Sequence, residues 1–298
     1  MNDSKSRSAK DFNGSPVERP KPSIPAGQNP LASTVKYLSR TDVHTFAFSV
    51  AANAILAFFP FVLLLLTLVR QVFHSRAMYD VVVQLLRDYL PAGQDFVIRN
   101  LNALAGGRHR AQIFSLLVLL VASTGIFMPL EVALNRIWGF PNNRSYIGNQ
   151  ALALGLTAAC GILALLSIAL TAGNVFLVET SLHGHGAFIV HLVGFLTMKV
   201  FAIAASIAIF FLIYWLLPNG NVRARFVLPS AIITGLLFEI LKYAYIIALP
   251  WLNFQEVYGP FALSVTLMFW AFLSGLLLLT GAHLSVQRVN FGASAVTR

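Results

Sequence analysis

The sequence predicts an all-α fold, namely a polytopic membrane protein built as a six-transmembrane-helix bundle with an amphipathic helical segment between spans one and two. Composition is the first reason: 57% of the 298 residues are hydrophobic and 11% are charged, whereas about a quarter of the residues of a soluble domain are charged. The mean hydropathy of +0.73 agrees. Length is the second reason, because six apolar stretches each reach the roughly 20 residues that cross the hydrocarbon core.

These stretches also predict the domain organisation. Residues 1–45 are largely polar and basic with little to bury, which predicts a disordered cytoplasmic tail and no cleavable secretory signal. Residues 46–285 form the predicted membrane domain, and residues 286–298 a short cytoplasmic tail. The predicted spans are residues 46–69, 113–134, 151–175, 192–217, 227–249 and 261–284.

The distribution of positive charge predicts the orientation. Lysine and arginine concentrate in the N-terminal tail and recur in the loops after spans two and four, whereas the loops after spans three and five contain neither. By the positive-inside rule, both termini face the cytoplasm. Topology and contact with anionic lipids thereby explain the net charge of +10. Membrane lipids, rather than nucleic acid, are the expected partners.

Residues 70–111 depart from this rule, because they carry six arginines although they are predicted to lie outside. Apolar residues recur at helical spacing on both sides of Pro91 and Gly93. This pattern predicts two short amphipathic helices that lie on the outer membrane surface or cap the bundle. A re-entrant pair that lines a cavity is the alternative.

Two prolines fall inside predicted spans, Pro60 in the first and Pro129 in the second. A proline removes a backbone hydrogen bond and is expected to kink or break the helix. The simpler interpretation is an adjustment of helix shape for packing. The alternative is a broken helix that opens a cavity at the membrane midplane.

Ionisable side chains inside spans are costly and are therefore candidate functional groups. Glu239 and Lys242 are three residues apart in span five, where they can pair, and Tyr243 extends their face. Lys199 lies in span four, and Glu131 lies near the end of span two. We expect these two acids and two bases to meet inside the bundle. They form either a structural ion-pair network or the lining for a polar substrate group or proton path.

Other features point to packing and not to a cofactor. Small residues four positions apart predict close helix contacts in three places: Ala169 and Gly173, Ala202 and Ser206, Ala271 and Gly275. Cys160 is the only cysteine, which excludes an intrachain disulfide and a cysteine-based metal cluster. His183 and His185 could ligate a metal, but the flanking glycines favour a flexible turn. We therefore expect no metal and no cofactor.

A set of local patterns, in a fixed order, covers about residues 34–285. The patterns are Ala57-Phe58-Phe59-Pro60-Phe61, Leu134-Asn135-Arg136-Ile137-Trp138, Gly235 to Lys242, Val257-Tyr258-Gly259-Pro260 and Leu279-Thr280-Gly281-Ala282-His283-Leu284. Together they resemble the BrkB/YihY family of bacterial inner-membrane proteins, once labelled ribonuclease BN-like. His283 departs from the pattern, because the family has a glutamate there.

The resemblance implies a protein of the bacterial inner membrane with six spans and cytoplasmic termini. It also implies links to virulence and a role in moving lipids or envelope precursors. We therefore expect transport or handling of a lipid or amphiphile by a protein that is not an enzyme, and a homo-oligomer is compatible with this role. A membrane scaffold for envelope assembly is the alternative. A ribonuclease BN-type enzyme is remote, because His185 is followed by Gly186-Ala187-Phe188 and not by the Asp-His of a two-metal site.

Overall fold

The computed structural model describes residues 30–89, 94–105, 109–141, 144–181, 187–220 and 222–296, and these contain no β-strand. The elements are α1 (Pro30–Leu38), α2 (Thr41–Gln71), α3 (Arg76–Tyr89), α4 (Gln94–Ala105), α5 (His109–Trp138), α6 (Tyr146–Ser181), α7 (Ala187–Leu216), α8 (Ala224–Leu252), α9 (Phe254–Tyr258), a 3₁₀ turn (Gly259–Phe261) and α10 (Ala262–Val296).

The all-α prediction with six spans is confirmed. Among the described residues, six helices are long and apolar enough to cross a membrane, and these candidate spans run for 25 to 34 residues. A rise of about 1.5 Å per residue makes even the shortest longer than the hydrocarbon core, which is about 30 Å thick. The helices are generally longer than the predicted stretches, because polar residues continue the helical hydrogen bonding beyond the apolar core.

The prediction of a disordered tail is wrong for the part of it that the structure describes. Helix α1 occupies residues 30–38, and α2 begins at Thr41 and not at residue 46. The side chains of Ser33, Thr34 and Tyr37 are buried. Burial of these side chains against α10 stabilises a helix of only nine residues, which is too short to be stable by itself. The rest of the predicted tail, residues 1–29, lies outside the described residues, and residues 286–296 continue α10.

Neither proline breaks its helix. Helix α2 continues through Pro60, and α5 continues through Pro129. Each proline removes one backbone hydrogen bond, but membrane helices tolerate this loss where the neighbouring turns and helices hold the backbone. The interpretation of a broken helix that opens a midplane cavity is therefore wrong.

The bundle has two ends, which we name the α1 end and the α9 end. At the α1 end, Arg136 near the end of α5 pairs with Asp42 at the start of α2, at 3.1 Å. Gln287 of α10 reaches Ser33 of α1 there. One buried apolar cluster lies toward this end and contains Leu134, Tyr214 and Leu279 among others.

A second apolar cluster joins α3 and α4 to the bundle. Its buried residues come from α2, α3, α4 and α6 and include Leu66, Val82 and Leu101. The segment between spans one and two therefore forms two short helices, as predicted, and their apolar faces pack on the long helices. The predicted break at Pro91 and Gly93 lies outside the described residues. Whether the pair lies on the membrane surface or re-enters it stays a prediction.

The three predicted small-residue contacts have different outcomes. The contact at Ala271 and Gly275 is confirmed, and the contact at Ala169 and Gly173 is wrong. A Cβ added to Gly275 would lie 3.4 Å from the Cα of Ala47, so α10 and α2 approach closely there. Ser206 faces α8 through a hydrogen bond to Glu239. Ala169 and Gly173 are exposed, and a Cβ at Gly173 would meet no atom within 4 Å. That pair faces away from the bundle.

Candidate functional site

The centre of the candidate site is an ion pair on α8. The Lys242 ammonium contacts the Glu239 carboxylate at 2.5 Å, and their side chains are only 17% and 10% exposed. The pairing follows from the three-residue spacing, which places both groups on one helix face. A lone buried charge in a span is costly, and pairing the two side chains offsets that cost.

Helix α7 completes this polar cluster from the other side. Ser206 donates a hydrogen bond to Oε1 of Glu239 at 2.9 Å. Lys199 donates to the phenol oxygen of Tyr243, and its Nζ lies 4.6 Å from the centre of the Tyr243 ring. The Nζ of Lys242 lies 5.3 Å from the same ring. Two ammonium groups therefore lie near one aromatic ring, with that of Lys199 at the hydroxyl edge of Tyr243.

Lys242 also lines a cavity of about 280 Å³ between α2, α3, α6, α8 and α10. Lys242 is the only charged group among the lining residues that the structure describes, and Glu239 does not reach the cavity. The walls are aliphatic and aromatic: Phe58, Val62, Leu65, Val82, Leu85, Leu86, Ile168, Tyr245, Ile246, Leu249, Thr266, Leu267 and Trp270. We name this space the Lys242 cavity.

Aromatic residues fix one wall of the Lys242 cavity. The rings of Tyr245 and Trp270 lie 5.0 Å apart, and Phe238 packs on the other side of Trp270 at 5.4 Å. The Tyr245 hydroxyl donates to the backbone oxygen of Thr266 at 2.9 Å, which joins α8 to α10. The Tyr245 hydroxyl is therefore satisfied within the protein. The cavity thus offers mostly apolar surface together with the side chain of Lys242.

Glu131 does not join this cluster, so the expectation that all four charged groups meet is wrong. The Glu131 carboxylate is buried at the α1 end, where it accepts hydrogen bonds from the backbone nitrogen of Arg144 at 2.7 Å and from Asn135. The reason is position along α5: Glu131 lies near the end of that helix, and its partners come from its own last turns and the following connection.

Asn135 and Trp138, two of the predicted family positions, belong to the same α1-end region. The Asn135 side-chain oxygen accepts a hydrogen bond from the backbone nitrogen of Asn219 at 2.7 Å. This bond ties the end of α5 to the connection between α7 and α8. Trp138 packs against the apolar cluster of that end. Their placement indicates a structural role.

Gly281 lies at a three-helix junction. A side chain there would overlap the hydroxyls of Thr234 on α8 and Tyr214 on α7. Tyr214 is fully buried and donates to the backbone oxygen of Leu278 at 2.8 Å. The absence of a side chain at Gly281 is what lets the three helices meet.

The remaining family positions are spread over the bundle. Pro60 lies in the middle of α2, and Tyr258 is exposed at the end of α9. Gly259 follows with a φ of 50°, a backbone conformation that favours glycine, and starts the turn into α10. The family positions therefore do not converge on one site.

His283 contributes to a buried contact between α1 and α10. Its ring stacks on Tyr37 with 4.4 Å between centroids, and Gln287 bridges from its Nδ1 at 3.3 Å to the Ser33 hydroxyl at 2.7 Å. Burial, reinforced by the nearby Asp42 carboxylate, raises the pKa of Tyr37, so its phenol stays neutral. The histidine, where the family has an acid, is matched by an aromatic partner.

No group of three potential metal ligands occurs among the residues that the structure describes. His183 and His185 lie outside those residues. The expectation of no metal and no cofactor therefore remains an expectation.

Sequence reasoning missed the cavity itself. Tyr245, Thr266 and Trp270 are ordinary residues of apolar spans, and only the packing of α8 against α10 brings them beside Lys242. The i, i+3 spacing from Lys242 to Tyr245 was the one available signal, because it places both on one face of α8.

The fold and this site define a class: a six-span helical membrane protein in which an intramembrane ion pair borders an apolar cavity. Residues 34–295 match the protein family described as "Virulence factor BrkB". This match covers most of the chain, so the chain belongs to the BrkB family.

Several relatives are described only as UPF0761 membrane proteins. That of Pseudoalteromonas atlantica is 25% identical over 256 residues, or 84% of this chain and 83% of the relative. That of Pseudoalteromonas translucida is 27% identical over 209 residues, 67% and 66% of the two chains. That of Acinetobacter baylyi is 26% identical over 221 residues, which are 70% of this chain and 49% of the relative. No solved structure matches the chain.

Proposed function

We propose that this protein binds and moves a lipid or other amphiphile that carries an anionic group. The observation that carries the proposal is the Lys242 cavity, whose mostly apolar lining includes one charged side chain among the described residues, that of Lys242. Small-molecule sites commonly have this composition, with a few polar groups that orient an otherwise apolar ligand. The acyl part would lie against the apolar walls, and the anionic group would contact Lys242. The proposal assigns no catalytic step to the protein.

The ion pair makes this arrangement selective. Glu239, which is not among the lining residues, pairs with Lys242 through Oε2 and accepts a hydrogen bond from Ser206 at Oε1. An anionic group that enters would find the ammonium already positioned, although the adjacent Glu239 carboxylate offsets part of the attraction. An uncharged headgroup would gain no ion pair with the ammonium.

The test is lipid analysis of the purified protein by mass spectrometry, followed by titration with dioleoyl phosphatidic acid. We expect a retained anionic lipid, binding weakened about tenfold or more in Lys242→Gln, and binding preserved in Lys242→Arg. Ser274→Ala, on α10 away from the lining, is the control. If no lipid is retained and liposomes containing the protein move no labelled lipid, the scaffold alternative replaces this proposal.

We also propose that the protein lies in the bacterial inner membrane with both termini in the cytoplasm. Basic side chains at the α1 end support this orientation: Arg40, Arg136, Arg144, Arg223 and Arg225. In a Cys160→Ser background, a cysteine at Arg144 should resist a membrane-impermeant maleimide in intact cells, and a cysteine at Gln255 should react. The reverse pattern would invert the topology.

A further inference from the structure

A second pocket opens at the α9 end, and nothing in the proposed function uses it. It has a volume of about 550 Å³ and lies between α2, α4, the 3₁₀ turn and α10. We name it the α9 pocket. Its apolar lining consists of Phe59, Val97, Leu101, Leu104, Pro260 and Leu263. Gly259 also lines it, and a Cβ at that glycine would meet no atom within 4 Å.

The chemistry of this pocket differs from that of the Lys242 cavity. Its polar lining residues are Asn100, Gln255 and Ser264, and none of its described lining residues is charged. Two carboxamides and a hydroxyl supply hydrogen-bond donors and acceptors together. Such a set can hydrogen-bond hydroxyl groups, which both donate and accept, and it supplies no opposite charge for an ionised group.

The position of Asn100 supports a binding role. Val97 and Leu101 are buried on the face of α4 that packs toward the bundle. Asn100 is exposed, three residues after Val97, and lies at the border of that face. Here the amide belongs to the lining of a pocket.

A third, smaller cavity has lining residues in common with both sites. This cavity, of about 260 Å³, shares Ile246 and Leu249 with the Lys242 cavity and Gln255 with the α9 pocket. The two sites are therefore near neighbours along α8, α9 and α10.

We infer that the α9 pocket is a second binding site, specific for an uncharged, hydroxyl-bearing lipid headgroup such as that of a diacylglycerol. The hydroxyl contacts Gln255, Ser264 and Asn100, while the acyl part follows the apolar lining. The inference rests on the proposed function in that the ligand is a lipid, but it names a different headgroup and a different site.

The experiment compares two lipids that differ at the headgroup. Purified full-length protein is titrated with dioleoylglycerol and with dioleoyl phosphatidic acid, and bound lipid is counted by native mass spectrometry. We expect Gln255→Leu/Ser264→Ala to weaken dioleoylglycerol binding about tenfold and to leave phosphatidic acid unchanged. The double variant Glu239→Gln/Lys242→Met, which leaves no unpaired charge, should show the opposite pattern. Ser274→Ala should alter neither.

The outcomes separate the two proposals. If neither the wild type nor any variant binds phosphatidic acid, while dioleoylglycerol binding is still weakened in the Gln255/Ser264 variant, only the anionic site is overturned. Dioleoylglycerol binding that is absent, or equal in the wild type and that variant, overturns the second site. Because both altered side chains are exposed, folding should be preserved, and an unchanged elution volume and unfolding temperature check this.

Discussion

Replacement of Gly281 by alanine should destabilise the bundle by about 1–3 kcal/mol, the range for overpacking a tightly packed interior. The new Cβ would overlap the hydroxyls of Thr234 and Tyr214. Tyr214 cannot rotate away cheaply, because it is fully buried and hydrogen-bonded to the Leu278 carbonyl. The measurement is the unfolding temperature of the detergent-solubilised protein, which should fall.

Gly155 on α6 provides the matched control. It is also a helical glycine in an apolar span, but a Cβ there would meet no atom within 4 Å. Gly155→Ala should therefore leave stability unchanged or raise it by about 0.5–1 kcal/mol, the helix preference for alanine. Thr234→Ala, added to Gly281→Ala, should restore part of the loss. Equal effects of the two glycine replacements would contradict the close three-helix contact.

Removal of Lys242 alone, as Lys242→Met, should destabilise the protein by about 3–5 kcal/mol, the range found when one partner of a buried ion pair is removed. Among the residues that the structure describes, Ser206 would then be the hydrogen-bond partner left to the Glu239 carboxylate. The double variant Glu239→Gln/Lys242→Met should lie closer to the wild type, because no unpaired charge remains. Unfolding in a double-mutant cycle measures the coupling.

An exposed pair gives the comparison. Arg136 and Asp42 form an ion pair at 3.1 Å, but the Arg136 side chain is 57% exposed. Arg136→Gln should change stability by no more than about 1 kcal/mol.

One outcome would contradict the prediction for the buried pair. If Glu239→Gln/Lys242→Met were no more stable than Lys242→Met, the lysine would act through its packing and not through its charge.

Hydrophobicity predicted the spans well, because burial in hydrocarbon imposes one dominant requirement on each helix. It did not predict α1, whose nine residues are too few to show a span. What stabilises α1 is contact with residues of α10 that are distant in the sequence, and no local pattern carries that information. The alternative of broken helices at Pro60 and Pro129 failed for a related reason, since a local rule predicted breaks that tertiary packing prevents.

The sequence predicted only the part of the candidate site that lies on one face of α8. The Glu239–Lys242 pair follows from spacing on α8, and Tyr243 from its adjacent position. The separation of Glu131 from them depends on helix arrangement, as does the presence of Trp270 and Tyr245 beside Lys242. Charge marks candidate residues in a membrane sequence, but apolar cavity walls look like any other apolar residues.

The α1–α10 contact has a consequence for biosynthesis. Gln287 and Ser33 are 254 positions apart, so α1 emerges from the ribosome long before its binding surface exists. While the six spans are being inserted, this short helix cannot yet contact α10. The stacking of Tyr37 on His283 is thus among the last contacts to form, and it closes the bundle only after the final span is in place.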